Sequence, residues 1–181
     1  GCQPLLTDQV RRMVDAIGRD GLKAVRDRAI ILVGFATAMR RSELAELERE
    51  DVEFRAEGAL FRVQRSKTDQ VGRGHTPTVH YGEEYCAVEA LERWLERASI
   101  EEGPLFWSVD RWGNLREPGL SGRAINRVVK SAADAAGMNA EKIGAHSLRA
   151  GHVTQRKVAG DPDGAIMDQT GHSSETAMRQ Y

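Results

Sequence analysis

The stretch VEFRAEGALFRVQRSKTDQVGRGHTPTVHY, residues 52–81, decides the fold class. Three pieces of it, VEF, ALFRVQ and TPTVHY, alternate apolar and polar residues, the period of a strand with one buried face. The pieces between them, RAEG and DQVGRG, carry the glycines of reversing turns. This predicts a small antiparallel sheet of about three strands. The flanks read differently. LLTDQVRRMVDAI (5–17) places Val10, Met13, Val14 and Ile17 on one helical face and is predicted to be capped by Thr7 or Asp8. DGLKAVRDRAIILVGFATAM (20–39) predicts a longer, more buried helix, and RRSELAELEREDV (40–52) a short one with Leu44 and Leu47 inward.

Helical periodicity resumes after the sheet. CAVEALERWLERA (86–98) is amphipathic, GPLFWSV (103–109) is extended, and SGRAINRVVKSAADAAG (121–137) has a serine cap and a glycine stop. SLRAGHVTQRKVAG (147–160) follows. DPDGAIMDQTG (161–171) is predicted to have Asp161 as cap and Pro162 in its first turn, and SSETAMRQ (173–180) leads to Tyr181. The expected fold is therefore α+β: mainly helical, with one small antiparallel sheet of about three strands. No repeat and no low-complexity linker divides the chain.

At 181 residues, 40% hydrophobic and 29% charged, the composition is that of a soluble globular domain. The longest apolar run, AIILVGFATAM (29–39), falls well short of the ~20 residues a membrane span needs. Two cysteines, Cys2 and Cys86, make neither a disulfide framework nor a four-ligand zinc site, and Cys86 reads as a small buried hydrophobe. A reducing, cytoplasmic setting is expected. The net charge of −1 and pI near 6.6 do not suggest a nucleic-acid partner, but the charge is segregated. Acids dominate 41–57 and 83–102. Bases dominate 61–75 (Arg62, Arg65, Lys67 and Arg73 against Asp69), 121–130 (Arg123, Arg127, Lys130) and 146–157. A globule with one basic face is expected, and the face is what duplex DNA meets.

No phosphate-binding GxxxxGK[ST] loop, HExxH, paired CxxC or GxSxG elbow is present. Asp161 and Asp163 suggest a metal-dependent nuclease only weakly, because a helix cap before Pro162 explains Asp161 better. Several short pairings remain. Arg40 and Glu43 lie three residues apart in AMRRSEL, as do His146 and Arg149 in HSLR, so each pair shares a helical face. Lys67 lies in the turn leaving a strand. His172 begins the last helical segment, nine residues before Tyr181. Arg41, adjacent to Arg40, is the alternative first arginine, and spacing to Glu43 favours Arg40. His75 and His152 also lie near these residues. His152 is off the face of His146 and reads as structural or DNA-adjacent.

In this order, Arg-x-x-Glu, Lys in a sheet turn, His-x-x-Arg, Gly-His and Tyr resemble the tyrosine recombinases, or phage integrase family. The resemblance runs from LLTDQV to Tyr181, with RSKTDQVG, HSLRAG and IMDQTGHSS similar in their flanks. It implies the DNA breaking-rejoining catalytic fold and a single catalytic domain over 1–181. An N-terminal core-binding domain and a tail after the tyrosine would lie outside it. It also implies DNA strand cleavage and rejoining through a 3′-phosphotyrosyl intermediate without metal, ATP or other cofactor. Tyr181 would be the nucleophile, assisted by His146. Arg40, Arg149 and His172 would bind the phosphate, Lys67 would protonate the leaving oxygen, and Glu43 would orient Arg40 or a histidine from behind. Arg65, Arg73, Arg123, Arg127 and Lys130 would contact DNA. The implied partner is a specific duplex site, bound by a homotetramer of the full-length protein, with the isolated domain monomeric. The implied source is a bacterium, phage or mobile element. The rival readings are a type IB topoisomerase-like relaxase and a DNA-binding module without activity.

Overall fold

The computed structural model describes residues 1–64 and 74–171. The elements run in the order α1 (Thr7–Ile17), α2 (Leu22–Thr37), α3 (Arg41–Glu46), β1 (Val52–Arg55), β2 (Gly58–Phe61), β3 (Thr78–His80) and α4 (Ala87–Ala98). Then come β4 (Trp107–Val109), β5 (Leu115–Pro118), α5 (Gly122–Ala135), α6 (Ala145–Val158) and α7 (Asp163–Thr170). α2 is the central post. Residues 29–33 are buried on every side, and the helix packs against α1, α4, α5 and α6. A helix apolar all round belongs in the middle of a helical layer. Trp94 of α4 is fully buried, and its indole N–H donates to the Leu105 carbonyl at 2.8 Å, which satisfies the one polar atom it takes into the core. None of these helices is long and apolar enough to cross a membrane.

The three-stranded antiparallel sheet has the order β1-β2-β3, with Val52 opposite Phe61 and Ala59 opposite Val79. Beyond β2, Val63 and His75 exchange both backbone hydrogen bonds, at 2.9 and 3.1 Å, so the hairpin continues to the point where Lys67's segment begins. A second antiparallel pair, β4-β5, was not expected. Only the GPLFWSV half of it reads as extended, and its turn is built by Asp110, whose carboxylate accepts from the Trp112 and Asn114 N–H groups and from Arg116. Its base is tied to α2 by a buried pair. Arg26 donates to Asp27 at 3.0 Å and to the Trp107 carbonyl at 3.0 Å.

Four local expectations are corrected. The cap of α1 is Leu6, whose N–H donates to the Gln9 side chain, because the Thr7 hydroxyl is drawn 2.7 Å from Gln155 of α6. α3 ends at Glu46, and a separate 3-10 turn occupies Arg49–Asp51; Leu47 between them is extended but still buried. α6 starts at Ala145, so His146 is inside its first turn. Asp161 does not cap α7. Pro162 holds the cap position, and the Asp161 carboxylate accepts instead from Arg156 at 2.7 Å. Ser121 caps α5 as expected, accepting from the Ala124 N–H at 3.1 Å. Cys86 is buried and also caps α4, its sulfur accepting from the Glu89 N–H. The expected helix 173–180 lies outside the described residues.

The N-terminal strand of chain before α1 is strapped along α6. Gln3 N–H donates to Lys142, Leu5 N–H to Ser147, and Leu5 is fully buried. The strap passes so close that a Cβ on Gly151 would sit 1.7 Å from the Leu5 carbonyl oxygen, so only glycine fits there.

Candidate active site

The site is assembled where α2 turns into α3, α6 begins, and α7 ends. Ala38, the residue closing α2, is left-handed (φ 54°), and this sharp exit presents its carbonyl toward α6. Arg149 of α6 is almost completely buried, and its Nη1 donates to the carbonyls of Ala38 at 2.7 Å and Thr170 at 2.9 Å. Both carbonyls are at helix C-termini, where the partial charge is negative, so the guanidinium is held by complementary charge and by geometry. Two residues after Ala38, Arg40 caps α3 and stays half exposed. Its N–H donates to Glu43 Oε2 and its Nη1 to Oε1, both at 2.8 Å, and Glu43 itself is buried. The buried carboxylate thus fixes both the backbone and the guanidinium of Arg40 while keeping its own charge away from the surface. Arg41 points elsewhere, its stem lying 3.4 Å from where a Cβ on Gly122 would be.

His146 is one turn before Arg149. The start of its helix is set by Asn126 of α5, whose side chain accepts from the Ala145 N–H at 2.9 Å. The ring is open to solvent on one side. Partial burial, and then the charges of Arg149 and Arg40, push its pKa below the ordinary histidine value. Near neutral pH it is therefore an uncharged ring beside two arginines, able to accept a proton. His152, two turns along α6, has no part in this cluster. Its Nδ1–H donates to the Phe35 carbonyl at 2.8 Å, and burial pulls its pKa down to about 4. It is a neutral packing histidine, the structural half of its expected reading.

Arg40, Glu43, His146 and Arg149 are thus brought together. Tyr181, His172, Lys67, Arg65 and Arg73 lie outside the described residues, but their anchor points do not. Lys67, Arg65 and Arg73 belong to the segment that leaves and rejoins the sheet at the Val63–His75 bridge, and His172 follows Gly171. Gly171 is left-handed (φ 71°), and a Cβ there would meet the His75 ring at 2.7 Å. The last described residue of α7's exit and the return limb of the Lys67 segment therefore touch. Of the expected DNA contacts, Arg123 and Arg127 are exposed, four residues apart on α5, whose first turn abuts Arg41. Lys130 is half-buried, and its ammonium donates to the Ala140 carbonyl at 2.7 Å, which ties α5 to the following turn. Residue spacing did not disclose the Ala38 and Thr170 carbonyls or Gln169, and it marked His75 only as a histidine near the paired residues. Asp161 is paired with Arg156, and among the described residues no group of three or more His, Cys, Asp or Glu side chains converges to hold a metal ion.

The phage integrase family matches residues 3–181. An integrase/recombinase xerD homolog of Selenomonas ruminantium is 36% identical over 183 residues, covering 100% of this chain and 54% of that protein. A tyrosine recombinase XerC of Thermodesulfovibrio yellowstonii is 27% identical, covering 98% of this chain and 56% of that protein. The chain thus spans about half the length of these relatives. Among solved structures, the XerA recombinase superposes with a TM-score of 0.75 at 24% identity, covering 99% of this chain and 59% of that one. XerH bound to its difH substrate superposes at 0.74 and 18% identity, covering 98% and 49%. The fold is that of the tyrosine recombinase catalytic domains.

Proposed function

We propose, since the chain belongs to the phage integrase family over residues 3–181, that it is a catalytic domain of a site-specific DNA recombinase, cutting and rejoining duplex DNA by transesterification without metal or ATP. The observation that carries this reading is the pair of held guanidinium groups at the end of α2: Arg149, aimed by the Ala38 and Thr170 carbonyls, and Arg40, two residues beyond Ala38 and fixed by the buried Glu43. Two fixed guanidinium groups beside a neutral imidazole form a site for a phosphodiester and a proton acceptor for its attacker.

In the proposed reaction the Tyr181 hydroxyl oxygen attacks the phosphorus, the P–O5′ bond breaks, and a 3′-phosphotyrosyl link forms. The tyrosine proton passes to His146, because with a pKa near ~10 only about one tyrosine in a thousand is ionised at neutral pH. Arg40 and Arg149, with His172, take up the charge that grows on the non-bridging oxygens, and Lys67 protonates the departing O5′. Attack of a second strand's 5′ hydroxyl reverses the link. Glu43 acts through Arg40 and meets no phosphate itself. The exposed Arg123 and Arg127, with Arg65 and Arg73, extend the contact to the DNA backbone. The setting is the cytoplasm, the assembly of the full-length protein on DNA a tetramer, and the isolated domain a monomer.

Single-turnover cleavage of a nicked duplex tests the roles. Arg40→Ala and Arg149→Ala are expected each to slow it by on the order of 10²–10³, the usual cost of removing one donor to a developing anion. A loss below tenfold for both would remove the phosphate-binding assignment.

A further inference from the structure

Three consecutive residues at the end of α7 are gripped by three different parts of the fold. Gln169 pairs with the backbone of Thr78 in β3: its side-chain oxygen accepts from the Thr78 N–H at 3.3 Å, and its side-chain nitrogen donates to the Thr78 carbonyl at 3.1 Å. The Thr170 carbonyl accepts from Arg149. Gly171 lies under the ring of His75, which is itself locked to Val63 by two backbone bonds. Elsewhere α7 packs on α6 through the small apolar cluster of Val153, Ile166 and Met167, together with the Arg156–Asp161 ion pair.

We infer that Gln169 and His75 are positioning residues for Arg149. Arg149 is aimed by two carbonyls. That of Ala38 is fixed by the exit of a long core helix, whereas that of Thr170 belongs to an eight-residue helix with one small apolar contact. A short helix so attached does not by itself hold a carbonyl to hydrogen-bonding precision. The paired amide of Gln169 on one side of Thr170, and the His75 ring over Gly171 on the other, supply that precision from the sheet. The sheet thereby sets the direction of a guanidinium in the helical layer. The inference rests on the proposed role of Arg149 as a phosphate ligand.

The test separates positioning from general damage. A methylphosphonate at the scissile position lacks one charged non-bridging oxygen, so a lost or misdirected arginine matters less there than on the ordinary phosphodiester. Single-turnover cleavage of both nicked duplexes is compared for the unaltered chain, Arg149→Ala, Gln169→Leu and His75→Ala. The expected pattern is a loss of about tenfold or more for Gln169→Leu and His75→Ala on the phosphodiester, shrinking to about twofold on the methylphosphonate and following Arg149→Ala in kind. Equal slowing on both substrates, with Arg149→Ala showing the difference, would overturn the inference and leave the proposed function standing. Absence of the difference in Arg149→Ala itself would count against that function instead. A readout free of catalysis is the 15N NMR signal of the Arg149 guanidinium. Held by two carbonyls, its protons are expected to exchange slowly in the unaltered chain and rapidly in Gln169→Leu. Unchanged exchange in a folded Gln169→Leu or His75→Ala protein would also overturn the inference.

Discussion

Gly151→Ala sets two effects of opposite sign against each other in one helix. In an ordinary helix interior the change is favourable by about 1 kcal/mol, because alanine loses less backbone freedom than glycine. Here the new Cβ would lie 1.7 Å from the Leu5 carbonyl oxygen and 2.7 Å from its carbon. Non-bonded heavy atoms settle at about 3.5 Å, so the strap must retreat by roughly 1.8 Å. That movement withdraws the fully buried Leu5 side chain, worth about 2–3 kcal/mol. It also strains the bonds from Gln3 to Lys142 and from Leu5 to Ser147, each worth about 1 kcal/mol. The loss outweighs the gain, and a net destabilisation of about 3 kcal/mol is expected in urea titrations at neutral pH. A second background isolates the cause. In a chain lacking residues 1–5 the clash has no partner, and the same substitution should be neutral or stabilising by up to about 1 kcal/mol. A loss below about 1 kcal/mol in the intact chain, or an equal loss in the shortened one, would refute the steric reasoning.

Acid should destabilise the fold through His152. Its folded pKa of about 4 lies below its ordinary value of 6.5, so as the pH falls the unfolded chain binds the proton first. The stability that the neutral ring contributes is complete above pH 6.5 and drains away down to about pH 4, amounting to about 3 kcal/mol. Urea midpoints across that range should show the decline, and His152→Asn, which keeps a donor to Phe35, should flatten it. The acid limb of the cleavage rate should have its midpoint below the usual histidine range, because His146 must be neutral to accept the tyrosine proton and its pKa is lowered; a midpoint above 6.5 would argue against His146 as the base. Glu43→Gln leaves Arg40 without its buried counter-charge. Cleavage should fall by about tenfold or more while duplex affinity changes by no more than about twofold, as titration and single-turnover rates on one substrate will show.

What could be read from sequence was whatever depended on local periodicity and spacing. The alternation in 52–81 located all three strands, and the three-residue spacings of Arg40–Glu43 and His146–Arg149 placed each pair on a shared face. What escaped depended on competing partners, most of them distant in the chain. Thr7 is a good capping residue, but Gln155 competes for its hydroxyl. Asp161 before proline is a good cap, but Arg156 is nearer. The β4-β5 pair draws its anchor from Arg26 in α2, whose sequence shows only a charge in an apolar helix. The direction of Arg149 is set by two main-chain carbonyls, which any residue type could have offered at those positions. Gln169 and Thr78 likewise meet through one side-chain amide and a backbone, so neither type announces the pairing.

The most direct test of a phosphotyrosine mechanism is covalent trapping. The protein and its Tyr181→Phe variant are incubated in EDTA with a duplex library nicked beside the cut position, so that the short 5′-hydroxyl fragment diffuses away and the reaction cannot reverse. The expected result is a DNA–protein adduct from the unaltered chain alone, with the nucleotide mapped to Tyr181 by mass spectrometry and the bound sequences defining the site. An adduct of equal yield from Tyr181→Phe, or one attached to a different residue, would contradict the account.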